Sequence, residues 1–173
     1  LELTWLVPLS LIGTVCGWLY FVSEHASEAL SHAIGARPVV KAMLAGLALA
    51  ICGTVLPYTM FAGETQADVL METYLTIPAG VLIATGLVKA MLTPALINLG
   101  WRGGHFFPVI FSGVSLGYGL AILTGADPVF CVAVCTASTM GAVMRQPVMV
   151  VGLLLMCFPL KGIVCMIIAA VIA

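Results

Sequence analysis

Long apolar runs separated by brief polar punctuation set the pattern of this chain. Residues 3–23 carry no charge, a length sufficient to cross a hydrocarbon core of about 30 Å. Trp5, Trp18 and Tyr20 in that run suit the membrane interfaces. Glu24, His25, Glu28 and His32 then follow on a helical period, so a helix over 3–32 leaves the apolar layer at its C-terminal end. Gly35-Ala36-Arg37-Pro38 stops it, and Pro38 suits the first turn of a helix over 39–56, which Pro57 ends. Small residues at Ala45, Gly46, Ala48, Ala50 and Gly53 allow that helix to pack closely. Glu64, Asp68 and Glu72, at i, i+4 and i+8, line one face of a short surface helix over 65–72. A further span over 75–99 is interrupted by Lys89 and Pro94, and another covers 106–124. Asp127-Pro128 offers an N-cap followed by proline at the first helical position of a helix over 128–144. Segments 147–158 and 161–173 close the chain. The last three helices are short for full crossings, as the broken helices of transporters are.

Composition turns this pattern into a fold class. Hydrophobic residues make up 62% of the 173 and charged residues 8%, against roughly 25% charged in ordinary soluble domains. So few charges cannot cover a water-exposed surface. The chain reads as one all-α, polytopic membrane domain over 1–173, with the lipid bilayer as its first partner. A net charge of −1 gives no basic field for nucleic acid. The run that opens at Leu3 has no basic flank and no small-residue cleavage site, so it is a membrane helix and not a signal peptide. A start at Leu1 points to a piece of a longer protein. Arg37 and Lys41 form the one basic cluster and assign that turn to the cytoplasmic side, with the acidic 64–72 segment outside.

Candidate chemistry concentrates in Gly100-Trp101-Arg102-Gly103-Gly104-His105-Phe106-Phe107-Pro108 and the glycine-spaced run after it, Gly113, Gly117 and Gly119. This is irregular backbone leading into a glycine-faced helix, and in a membrane such backbone survives only when buried in protein or lining a cavity. The start of the helix aims unpaired N–H groups and the positive end of its dipole forward, a geometry suited to anions. Lys89, alone in an apolar helix, is a candidate for an electropositive element on an anion path; the competing reading is a snorkelling side chain or a donor to a backbone carbonyl. Other constellations are weaker. Glu24, Glu28, His25 and His32 share helix faces and can be read as metal ligands or as a helix end emerging into water. Cys131 and Cys135, spaced i, i+4, lack a histidine or carboxylate partner, and all six cysteines lie in apolar runs where they act as small hydrophobes. Arg145 sits between two short segments and faces either the cytoplasm or a polar cleft.

At these residues the sequence resembles a known family. Gly103-Gly104-His105-Phe106-Phe107-Pro108 is similar to the Gly-Gly-x-Phe-x-Pro signature of the CLC chloride channels and chloride/proton antiporters. Phe111-Ser112-Gly113 and Leu116-Gly117 fit the glycine-spaced helix that follows it there. Lys89 fits the helix leading in, and Ala142-Val143-Met144-Arg145-Gln146-Pro147 resembles the family's Arg-x-Pro break between two later short helices.

The resemblance implies a fold of two inverted repeats, each of eight tilted and partly non-spanning helices, of which this chain resembles the second. It implies anion coordination by the backbone amides of His105 and Phe106, with Phe107 a weaker candidate, the filter loop being Gly103, Gly104 and Pro108. It implies chloride as the ligand, no enzymatic activity and no cofactor, a homodimer formed through 147–173, and residence in the plasma membrane. His105 stands where the family often has an aliphatic residue; its ring either adds a titratable group near the anion or packs while its amide alone matters. The family's serine-bearing loop and gating Gly-Arg/Lys-Glu-Gly-Pro motif do not occur here; both belong to the first repeat, an implied partner. The family's anion-contacting tyrosine lies after the last helix of this repeat. Two other readings stay open: a structural half-repeat without transport of its own, and a membrane-embedded metal or thiol enzyme using His25, His32, Cys131 and Cys135. Channel and antiporter are not distinguished.

Overall fold

A computed structural model describes residues 2–60, 63–155 and 163–173. A 3-10 turn over Glu2–Trp5 leads into α1 (Leu6–Ile34), followed by α2 (Pro38–Val55), α3 (Glu64–Thr73), α4 (Ala79–Asn98), α5 (Phe106–Thr124), α6 (Pro128–Met144), α7 (Pro147–Leu154) and α8 (Ile163–Ile172). α1, α2, α4 and α5 are each long and apolar enough to cross a membrane. The protein is an all-helical, polytopic integral membrane protein. The expected end of the seventh helix at 156–158, the start of the eighth at 161–162, and Cys157 lie outside the described residues.

One boundary departs from expectation for a local reason. The span expected from 75 splits into a 3-10 turn over Tyr74–Thr76 and a helix beginning only at Ala79. Ile77, the residue before Pro78, is extended at φ −103° and ψ 131°. Proline disfavours the helical region for the residue preceding it, so the helix starts afresh after the proline. Pro94 lies inside α4, which continues through it to Asn98.

α1, α4, α5 and α6 form most of the core, with buried residues of α7 and α8 packed into it. α5 and α6 run antiparallel, with Gly113 against Thr136 and Gly117 against Val132. A Cβ on Gly117 would lie 2.5 Å from Val132 Cα and 2.8 Å from its nitrogen, so only glycine lets the backbones approach this closely. α4 is antiparallel to α5, with Gly86 facing Ser112 and Leu116. α1 runs parallel to α6: the Cys135 Sγ approaches Leu9 O at 3.9 Å and Thr139 Oγ1 donates to Gly13 O at 3.2 Å. Further along the same pair, Gly17 meets Ala142 and the Arg145 guanidinium lies 4.9 Å from the Phe21 ring centroid.

This register fixes the depth of α5. Its start lies level with the end of α6, hence level with the Gly17–Phe21 turn of α1, before Glu24 begins the polar end of that helix. α4 also runs on past this level, from about Pro94 to Asn98, about 6 Å at 1.5 Å per residue. Helix α5 thus begins below the surface marked by its longer neighbours. By contrast α2 stands apart: Ala45 is its one buried residue. A smaller apolar cluster of Leu70, Leu82 and Phe111 ties α3 to α4 and α5.

Candidate anion site at the start of helix α5

The site begins with the way α4 stops. The Trp101 N–H donates to Leu96 O at 3.0 Å and the Gly100 N–H to Ile97 O at 3.0 Å, the paired 6→1 and 5→2 bonds of a Schellman ending. Gly100 takes φ +100°, which the motif needs and a side chain would oppose. Residues 101–104 then run without helical structure to His105, the N-cap of α5.

α5 opens without the usual satisfaction of its donors. The first N–H groups of any helix lack intrahelical acceptors. Here Pro108, at the third helical position, removes one of them, and the His105 side chain makes no capping bond. The amides of His105, Phe106 and Phe107 remain, and none has a hydrogen-bond partner among the described residues. The His105 ring stacks on Phe106 with centroids 5.6 Å apart, and Phe107 is 51% exposed. Three adjacent donors thus stand at the positive end of a 19-residue helix. Gly103 and Gly104 have open space around them: a Cβ at either would meet nothing within 4 Å.

Behind the loop lies a cavity of about 240 Å³. Gly103, Gly104 and Pro108 line it together with Lys89, Thr59, Thr93, Trp101 and Arg102. The structure thus brings Lys89 next to the filter loop, while His105, Phe106 and Phe107 lie outside the cavity wall. The Lys89 ammonium is buried and donates to the Thr59 carbonyl at 2.6 Å, 5.9 Å from the Phe111 ring centroid. It therefore acts as a donor to a backbone carbonyl, holding the Pro57–Thr59 turn against α4 and α5, and carries its positive charge at the edge of the cavity.

The remaining candidates are scattered. His32 and Glu28 pair at 3.9 Å on an exposed face, and among the described residues no three histidine, cysteine or acidic side chains gather as metal ligands. Cys16, Cys131 and Cys135 are buried. Arg145 is exposed and lines a separate groove between α1, α6 and α8. Sequence reasoning missed Asn98, whose amide reaches from the end of α4 to Glu24 O at 3.0 Å and Ser27 Oγ at 2.9 Å on α1. It is the chain's only asparagine, two residues before Gly100, and that was the available signal.

No match was found among curated proteins or among solved structures. The family model for the voltage gated chloride channel matches residues 1–173, the whole sequence, so the chain belongs to that family of chloride channels and antiporters, which are transport proteins and not enzymes.

Proposed function

We propose that this chain is the second inverted repeat of a CLC-type chloride channel or chloride/proton antiporter and binds the permeating anion through the amides of His105 and Phe106, with Phe107 contributing less. The observation that carries the reading is the start of α5, where three neighbouring amides lack partners among the described residues, below the level at which α1 turns polar. Backbone donors and the helix dipole together stabilise an anion there without requiring a counter-charge. In a low-dielectric layer such donors are worth more than at a surface. Lys89 adds positive potential from the adjoining cavity while its proton is held by Thr59 O. A first repeat supplies the remaining ligands and the gate, the 147–173 segment forms a homodimer contact, and the assembly resides in the plasma membrane.

The test is calorimetric titration of chloride into the detergent-purified chain, alongside Gly104→Leu. Open space at Gly104 lets the fold accept the side chain, which then occupies the approach to the amides. The expected result is saturable chloride binding that Gly104→Leu removes while helical content is retained. Equal binding by the variant overturns the site, and absence of binding by the unmodified chain overturns an anion site autonomous to this half.

A further inference from the structure

The loop that carries the anion site hangs from one end of α4, and that end is stapled to α1. Around Pro94, which has no N–H to return to Ala90, side-chain hydrogen bonds tie α4 to α1 on both sides. Ser23 Oγ donates to Met91 O at 2.6 Å. Asn98 Nδ2 donates to Glu24 O at 3.0 Å and to Ser27 Oγ at 2.9 Å, and Ser27 Oγ donates to the same Glu24 carbonyl at 2.9 Å. Both protons of the Asn98 amide are thus used on one turn of α1, and the next residue, Leu99, is buried. Directly after it comes the Schellman ending at Gly100, whose two bonds leave one exit direction for the chain. Only the 101–104 segment separates that exit from the amide of His105. Gly103 and Gly104 have no side chains with which to anchor that segment, and a Cβ at either would meet nothing within 4 Å.

We infer that Asn98, acting with Ser27, is the positioning residue for the anion-binding loop. It touches no anion; it fixes the direction from which residues 101–105 enter α5, and so the spacing of the amides at 105–107. Leucine at 98 matches asparagine in size but has no donor, while glutamine keeps both donors on a longer arm. The inference rests on the reading of the α5 amides as the anion site, and the experiment separates the two.

Chloride and nitrate are titrated into the purified full chain and into Asn98→Leu, Asn98→Gln, Ser27→Ala and Gly104→Leu, with amide hydrogen exchange followed on the same samples. Asn98→Leu is expected to speed exchange over residues 101–107 by tenfold or more, leaving α5 and α6 beyond Val109 protected. It is expected to change the chloride-to-nitrate affinity ratio at least threefold, a change that a uniform loss of folded protein cannot produce. Ser27→Ala moves both readouts in the same direction by less, adds little to Asn98→Leu in the double variant, and Asn98→Gln recovers part of the ratio. Unchanged loop exchange and an unchanged ratio in Asn98→Leu, with Gly104→Leu abolishing binding, overturn the positioning role and leave the anion site standing. Unchanged binding in Gly104→Leu overturns the anion site, and no binding by the unmodified chain overturns a site autonomous to this half; in either case the exchange arm decides whether Asn98 fixes the loop.

Discussion

Helices α5 and α6 are consecutive, similar in length and both begin near a proline, yet their first turns are built to opposite ends. α6 brings its own anion: Asp127 Oδ1 accepts the Phe130 N–H at 2.8 Å, and Pro128 at the first position removes a donor that would have been idle. α5 has histidine at the cap with no capping bond, and its proline falls at the third position. Asp127 and Val129 are exposed at the start of α6, as residues 101–104 and Phe107 are at the start of α5, so what separates the two starts is the cap and the position along the bundle. The start of α5 lies level with the Gly17–Phe21 turn of α1, before the polar end of that helix. An open helix start at that position is the feature on which the proposed anion site rests, in a family of chloride channels.

The sharpest way to break this contrast is to give α5 the cap that α6 has. In His105→Asp a carboxylate is placed where it can accept the Phe107 N–H; the third-position donor is absent because Pro108 is there. Charge repulsion and the lost donor act together on chloride. Affinity is expected to fall about 10- to 100-fold, the equivalent of about 1.4–2.7 kcal/mol, by the same titration. His105→Asn, which caps without charge, should lose less, so the difference between the two isolates the electrostatic part. Undiminished chloride affinity in His105→Asp would sink the amide site.

A second variant asks what stands behind the open start. Lys89→Met removes the donor to Thr59 O and the positive charge beside the cavity. Leaving a buried carbonyl without its donor costs about 1–3 kcal/mol, read as a lowered unfolding midpoint in detergent. Lys89→Arg keeps the charge and should retain chloride affinity even where its stability drops. If Lys89→Met unfolds at the same midpoint, the lysine does not hold the Pro57–Thr59 turn, and its burial needs another explanation.

These elements were not equally legible in the sequence. The ends of α5 and α6 could be read because they are local: Gly100 and Pro108 bracket one start, Gly125 and Asp127-Pro128 the junction, and Arg145-Gln146-Pro147 the last break. The fresh start of α4 at Ala79 was equally local, and it was missed because Pro78 was read as part of a continuous apolar run. The contacts that aim the loop were not legible. Asn98 meets Ser27 across 71 residues and Lys89 meets Thr59 across 30, and no periodicity encodes which turn of one helix faces which turn of another. The glycines show the same limit. Gly104 and Gly117 look alike in a glycine-rich stretch, but Gly117 is pressed against Val132 while Gly104 stands in open space. The first answers to this chain's packing. The second answers to whatever approaches the loop.

The smallest expected effect tests whether an open helix start is enough for anion binding. Asp127→Ala leaves α6 uncapped at a cost of about 1 kcal/mol, measurable as a modest fall in the unfolding midpoint. It makes α6 resemble α5 in hydrogen bonding but not in depth. At an exposed helix end the dipole is worth only about 0.3–1 kcal/mol to an anion, so no second chloride site should appear in the titration. Positions 105 and 127 lie at opposite ends of α5, about 28 Å apart at 1.5 Å per residue. Their effects on stability should therefore add within about 0.5 kcal/mol in the double variant His105→Asp, Asp127→Ala. A new chloride site in Asp127→Ala would show that missing caps alone recruit the anion, and the depth of α5 would lose its place in the explanation.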